Sequence, residues 1–145
     1  MHFLTYSQWL TNKRRDDSYR VAKDYIAALN ENQEIIREIN FHYSHLCPAS
    51  GVSIESETIA KKRIEHLHVL QDNLSLARVH LSIANSELAF WKVKLSPSFS
   101  EQHNIVIKDL SNIVTIMVGL NSQLYLMFAD DYENRKEVIS HKKNI

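Results

Sequence analysis

Apolar residues recur at helical spacing through most of the chain, and most densely near its C-terminal end. Val106, Leu110, Ile113, Met117, Leu120, Leu124 and Met127 step by four and three, which keeps one apolar seam on one side of an α-helix. The strict alternation of a strand is absent. A second stripe lies beside the seam at Ile107, Val114, Tyr125, Phe128 and Tyr132, and Ile105 and Ile116 widen the other flank. At about 100° per residue the apolar arc covers roughly 220°, well beyond the ~100° of an ordinary surface helix. This pattern predicts the most buried helix of a helical bundle, with part of its width left for an oligomer interface.

The uncharged run at 110–129 is also long enough to cross a bilayer. Asn112, Asn121 and Gln123 would each be costly in hydrocarbon without a partner, so a soluble bundle with no membrane span is the expectation.

Two further long helices precede it. Over 17–46, Ala22, Tyr25, Leu29, Asn32, Ile36, Ile39, Tyr43 and Leu46 occupy consecutive heptad core positions. Asn32 interrupts that seam. It either fixes register or sits solvated at the bundle edge. Over 54–95, Leu67, Leu70, Leu74, Ala77, Leu81, Ala84, Leu88, Trp91 and Leu95 repeat without a break. The third long helix is expected over 99–140. Pro48 and the Ser96-Pro97-Ser98 turn separate the three, since proline disfavours helical geometry in the residue before it. Ser53 is a candidate N-cap for the second long helix, and Ser98 with Glu101 has capping-box spacing for the third.

Residues 3–12 read as a short helix, with Thr5 and Gln8 forming a capping box. The polar joint Lys13-Arg14-Arg15-Asp16-Asp17 separates it from the next helix. Short turns give antiparallel neighbours. The expected fold is therefore all-α: an antiparallel bundle of three long helices with coiled-coil-like packing and a short N-terminal helix closing one end. Trp9 and Leu10 are placed against Phe90, Trp91 and Phe99. Three helices leave a 220° face partly uncovered, which predicts a homodimer or a partner chain on the third long helix.

Composition fits this outline. The chain has 145 residues with only two glycines and two prolines, so it has few turns, long elements and one domain over 1–145. Formal net charge is zero, so no global field draws it to nucleic acid or acidic membranes. One cysteine, Cys47, excludes an internal disulfide. With no signal-peptide pattern at the N-terminus, the expected compartment is cytoplasmic.

Catalytic patterns are missing: there is no phosphate-binding glycine loop, no Gly-x-Ser-x-Gly and no His-Glu-x-x-His. His42, His45 and Cys47 lie close enough to suggest zinc, but no fourth ligand is placed to join them; position 42 is expected to face position 58, leaving His66 and His68 too far along. Glu65 and His68 form one Glu-x-x-His step where a di-metal bundle needs two. Neither a metal site nor a cofactor is expected, and the protein is read as a non-enzyme.

Two basic clusters remain, Lys13-Arg14-Arg15 and Lys61-Lys62-Arg63. The run at 3–29, FLTYSQWLTNKRRDDSYRVAKDYIAAL, resembles the helical DNA-clamping region of tyrosine recombinases, where Trp-Leu precedes a second helix. It covers under a fifth of the chain, in a pattern common among helical proteins. The leading expectation is a protein–protein interaction module, such as an adaptor, a chaperone-like subunit or an inhibitor. Its candidate contact residues are Ile107, Val114, Val118, Tyr125, Phe128 and Tyr132. The alternative is a small DNA-binding regulator using the two basic clusters. A metal-binding bundle enzyme ranks third.

Overall fold

The structure, a computed structural model, describes residues 5–48 and 55–127. It is all-α there, with three helices: α1 (Tyr6–Leu46), α2 (Glu57–Phe90) and α3 (Phe99–Met127). No strand occurs among the described residues.

The start of α1 follows its sequence signal. Thr5 Oγ1 accepts from Gln8 N–H, and Gln8 Oε1 accepts from Thr5 N–H, a reciprocal cap that satisfies two backbone donors otherwise left bare. The short separate helix, however, does not exist. α1 runs unbroken from Tyr6 through the polar joint. No glycine or proline interrupts that joint, and its charges pair along the helix: Lys13 with Asp17 at 3.9 Å, and Arg20 with Asp17 and Asp24 at 3.8 and 3.7 Å. Such exposed pairs contribute only tenths of a kcal/mol each, but nothing opposes them. A straight α1 carries Trp9 away from its expected docking place. Trp9 instead stacks on Tyr6 and stays half-exposed, and Arg14, Arg15 and Ser18 stand beside Phe90 and Trp91. Phe99 packs on Tyr25.

α2, not α3, is the central helix. Ala60, Ile64, Leu67, Leu70, Leu74, Ala77, Leu81, Ala84 and Leu88 are buried, against four buried residues on α3. Both α1 and α3 pack along α2, while their backbones barely approach each other. The alanines at 77 and 84 sit where α1 comes close. Asn32 Nδ2 reaches the Ala77 carbonyl at 2.9 Å, and Ala28 lies across from Ala84. The pairs Asn32 with Ala77, Glu31 with His80 and Glu38 with His66 descend α2 as they climb α1. Tyr25 with His103 and Tyr43 with Asn121 climb α1 and α3 together. α3 therefore lies alongside α1 in the same direction, with α2 running the other way.

α2 starts and stops inside its expected span. Its N-cap is Ser56, whose hydroxyl accepts from Ile59 N–H; Ser53 lies outside the described residues. It ends at Phe90, five residues before Leu95, because the chain turns left-handed at Lys92, with φ 52°. Val93 N–H then donates to the Leu88 carbonyl and Lys92 N–H to that of Ala89, and Val93 packs back on the core. This is a Schellman closure with lysine where glycine is usual.

Asn32 is 2% exposed, so it is not a solvated edge residue. Its amide donates to the carbonyls of Ala28 and Ala77, while Oδ1 has no partner. The amide orientation is fixed because a flipped oxygen would face those two carbonyls.

Three substitutions, each read by urea denaturation, check this account. Lys92→Gly relieves the left-handed strain and is expected to stabilise by about 0.5–1 kcal/mol, after the added unfolded-state freedom of glycine is subtracted; urea denaturation reads it. Asn32→Asp places a carboxylate against two carbonyl oxygens and should cost about 3 kcal/mol. Asn32→Leu removes the unpaired oxygen and should be neutral or stabilising by about 1 kcal/mol.

Candidate functional site

Two rungs tie α1 to α3 across the flank of α2. Near one end Tyr25 Oη and His103 Nδ1 are 2.9 Å apart, with Phe99 packed on both rings. Near the other, Tyr43 O–H donates to Asn121 Oδ1 at 2.7 Å. The Asn121 amide donates to Gln71 Oε1 and to the Leu67 carbonyl, so Asn121 joins all three helices. The rungs stand at the same spacing on both helices, residues 25 and 43 on α1 and 103 and 121 on α3. That spacing corresponds to five turns, about 27 Å.

Tyrosine is long enough to bridge two helices whose backbones do not meet. Helical spacing places a shallow apolar trough beyond the rungs, between α1 and α3 on the side turned away from α2. On α1 the wall beyond the tyrosines carries Ala22, Leu29 and Ile36; on α3 it carries Val106, Ile113 and Leu120, with Ile105, Ile116 and Met127 at the rim. Val106, Ile113, Ala22 and Ile36 are partly buried against the core. Leu29, Leu120, Ile105 and Met127 are exposed, and Ile116 is 60% exposed. This is where the wide apolar arc of α3 goes. α2 and α1 cover part of it and the remainder faces outward. By length and composition α3 is apolar enough to cross a membrane, and most of its apolar stretch is not buried among the described residues.

The contact residues expected on α3 divide. Ile107 and Val114 pack against the core. Val118 and Tyr125 are exposed, on the α2 side of the helix, where Tyr125 meets His68 edge-on. Phe128 and Tyr132 lie outside the described residues. The trough wall is instead made by the flank that Ile105 and Ile116 mark in the sequence. What sequence spacing alone could not supply was which flank α2 covers.

A second cluster sits where α1 ends and α2 begins. His42 faces Arg63 and His66, not position 58, because the link after Leu46 sets α2 several residues further along. Arg63 donates to both oxygens of Glu55, at 2.5 and 2.6 Å, and to His42 Nδ1 at 3.1 Å, and its guanidinium lies over Phe41. These bonds hold the Glu55 carboxyl below its usual range, and burial with the nearby His66 lowers His42. His66 Nε2 contacts Glu38 Oε1 at 2.6 Å. His45 turns away to the Phe41 carbonyl and Cys47 is exposed, while His42 meets Arg63 and His66.

The two basic clusters lie at opposite ends of α1. Lys61, Lys62 and Arg63 stand near the level of His42, roughly 45 Å from Arg14 at 1.5 Å per residue. Lys13, Arg15 and Lys61 pair with Asp17, Asp16 and Glu57, and Arg63 is engaged by Glu55. Within one chain the two clusters form no common surface. Compared with known protein families, with curated proteins and with solved structures, the chain matches none.

His103 gives a pH signature. It is 6% exposed, burial lowers its pKa from the ordinary 6.5, and its Nδ1 shares one hydrogen bond with the Tyr25 hydroxyl, whose direction follows the ring tautomer. Below pH 6.5 the unfolded chain binds this proton more readily than the folded one. The stability it supports is complete above that pH and is lost as pH falls toward the lower folded value. Urea denaturation at pH 7.5 and 5.5 should show a larger drop for the wild type than for His103→Gln.

Proposed function

We propose that the protein is a non-enzymatic interaction module that takes an amphipathic helix into the α1–α3 trough. The observation that carries this reading is the open corner between α1 and α3. Two helices of like direction flank a third, as diagonal members do in a four-helix bundle packed like a coiled coil, and none of the described residues fills the fourth position. A helix seated there would run opposite to α1 and α3, lie over the two tyrosine rungs and bury the exposed flanks of Leu29, Ile116 and Leu120. An apolar helix in an apolar groove is a common recognition mode. Adaptor, chaperone-like subunit and inhibitor are all roles that such a module fills.

The charged outer face of α1, with its ion pairs at Asp17, Arg20 and Asp24, suits a partner in water better than acyl chains, and a cytoplasmic setting accords with that. The occupant that fits most simply is a helix from a second copy, making a homodimer.

Light scattering over a dilution series tests this with the full chain and an Ile116→Glu, Leu120→Glu variant, both exposed positions outside the core. A wild-type dimer is expected. The variant should remain folded by circular dichroism, with self-association weakened at least about thirtyfold, the effect of an interface hot spot of ~2 kcal/mol. A wild-type monomer would overturn the homodimer. Partners captured equally by wild type and variant would overturn the trough as the docking site.

A further inference from the structure

The geometry points to a binding site for a zinc-class divalent ion formed by Glu38, His42 and His66, which staples the C-terminal part of α1 to the N-terminal part of α2. The ligand-bearing atoms of the three side chains all lie within 4.8 Å of one another. Glu38 Oε1 is 2.6 Å from His66 Nε2 and 4.0 Å from His42 Nε2. The two imidazoles meet edge to face at 4.8 Å between centroids.

Glu38 and His42 are one turn apart on α1 and so share a face, and His66 faces them from α2. Tetrahedral zinc with arms of 2.0–2.1 Å holds its ligand atoms about 3.4 Å apart. The set therefore needs its shortest edge to open and its longer edges to close by less than about 1.5 Å. Rotamer changes can supply that, because Glu38 and His66 are half-exposed at their tips. Two imidazoles and a carboxylate select borderline ions such as Zn²⁺ over Mg²⁺ or Ca²⁺, which take oxygen ligands. Three protein ligands leave a fourth position for water or for a partner's side chain.

Arg63 sets the strength of this site. It donates to His42 Nδ1, which keeps a lone pair there and the ring proton on Nε2. Zinc at Nε2 needs the opposite tautomer, with a proton on Nδ1 and an acceptor facing it. Arg63 must therefore release His42 when the ion binds, while its two bonds to Glu55 remain. A residue that accepts from Nδ1–H would help where arginine opposes.

The test uses the full chain stripped with EDTA, titrated with ZnCl₂ by calorimetry and with Co²⁺ by visible absorption. One equivalent should bind, with a Co²⁺ band of tetrahedral intensity, and Zn²⁺ should raise the melting temperature. His66→Ala and Glu38→Gln should each weaken binding at least tenfold and abolish the thermal shift. His80→Ala, at the similar His80 and Glu31 pair, should change nothing. Arg63→Gln should tighten binding about tenfold, in the range of effects known for residues that orient metal ligands. This gain is a readout that no loss of folding can imitate. Absence of one-equivalent binding, affinity unchanged in His66→Ala, or weaker binding by a folded Arg63→Gln protein would overturn the assignment.

Discussion

Leu67, Leu70, Leu74, Ala77, Leu81, Ala84 and Leu88 leave water together when α2 enters the bundle, and both other helices depend on that seam. Each buried leucine contributes roughly 2 kcal/mol of transfer free energy. None of the seven is more than 7% exposed. Most helical stability in a folded protein comes from packing of an apolar face rather than from intrinsic propensity, so α1 and α3 are held chiefly by what they cover on α2. The alanines shape the result as much as the leucines. Where Ala77 and Ala84 face α1, the two helices come close enough for the Asn32 amide to reach a backbone carbonyl across the gap.

Apolar burial gives adhesion but little registry, and the buried polar groups supply the registry here. Sliding α3 by one turn along α1 would strand Tyr25, Tyr43, His103 and Asn121 in the interior with their partners displaced. Each buried group left unpaired costs about 1–3 kcal/mol. Four such groups outweigh the small differences in apolar burial between neighbouring registers. The same bonds also hold α3 at tyrosine length from α1, which keeps the two backbones from closing on each other.

That spacing links the fold to the proposed role. A closed three-helix bundle would have sealed the apolar flank of α3 against α1. With α2 alone between them, α1 and α3 hold two facing walls apart beyond the tyrosine rungs. The Glu38, His42 and His66 cluster sits on the other side of α1, toward α2, so an ion there and a helix in the trough would engage separate faces of the same helix.

The chain by itself determined its helical class, because its apolar residues recur at three and four and it has few residues that end a helix. It determined the Thr5 cap, because serine, threonine and their partners act locally. It determined the seam of α2, since an unbroken heptad has one face to bury. Tertiary structure decided the rest. Whether Lys13 to Asp17 is a joint or mid-helix cannot be read from its charges, which suit both, and the straight path of α1 is stabilised by packing further along. The Asn32 position is compatible with water or with burial until the neighbour that fills the space is known. Which flank of α3 faces outward depends on where α2 lies, so Ile116 and Val114 look alike in the sequence and differ in the fold. The meeting of His42 with His66 depends on the register between two helices joined by a long link, and spacing within either helix carries no information about that register.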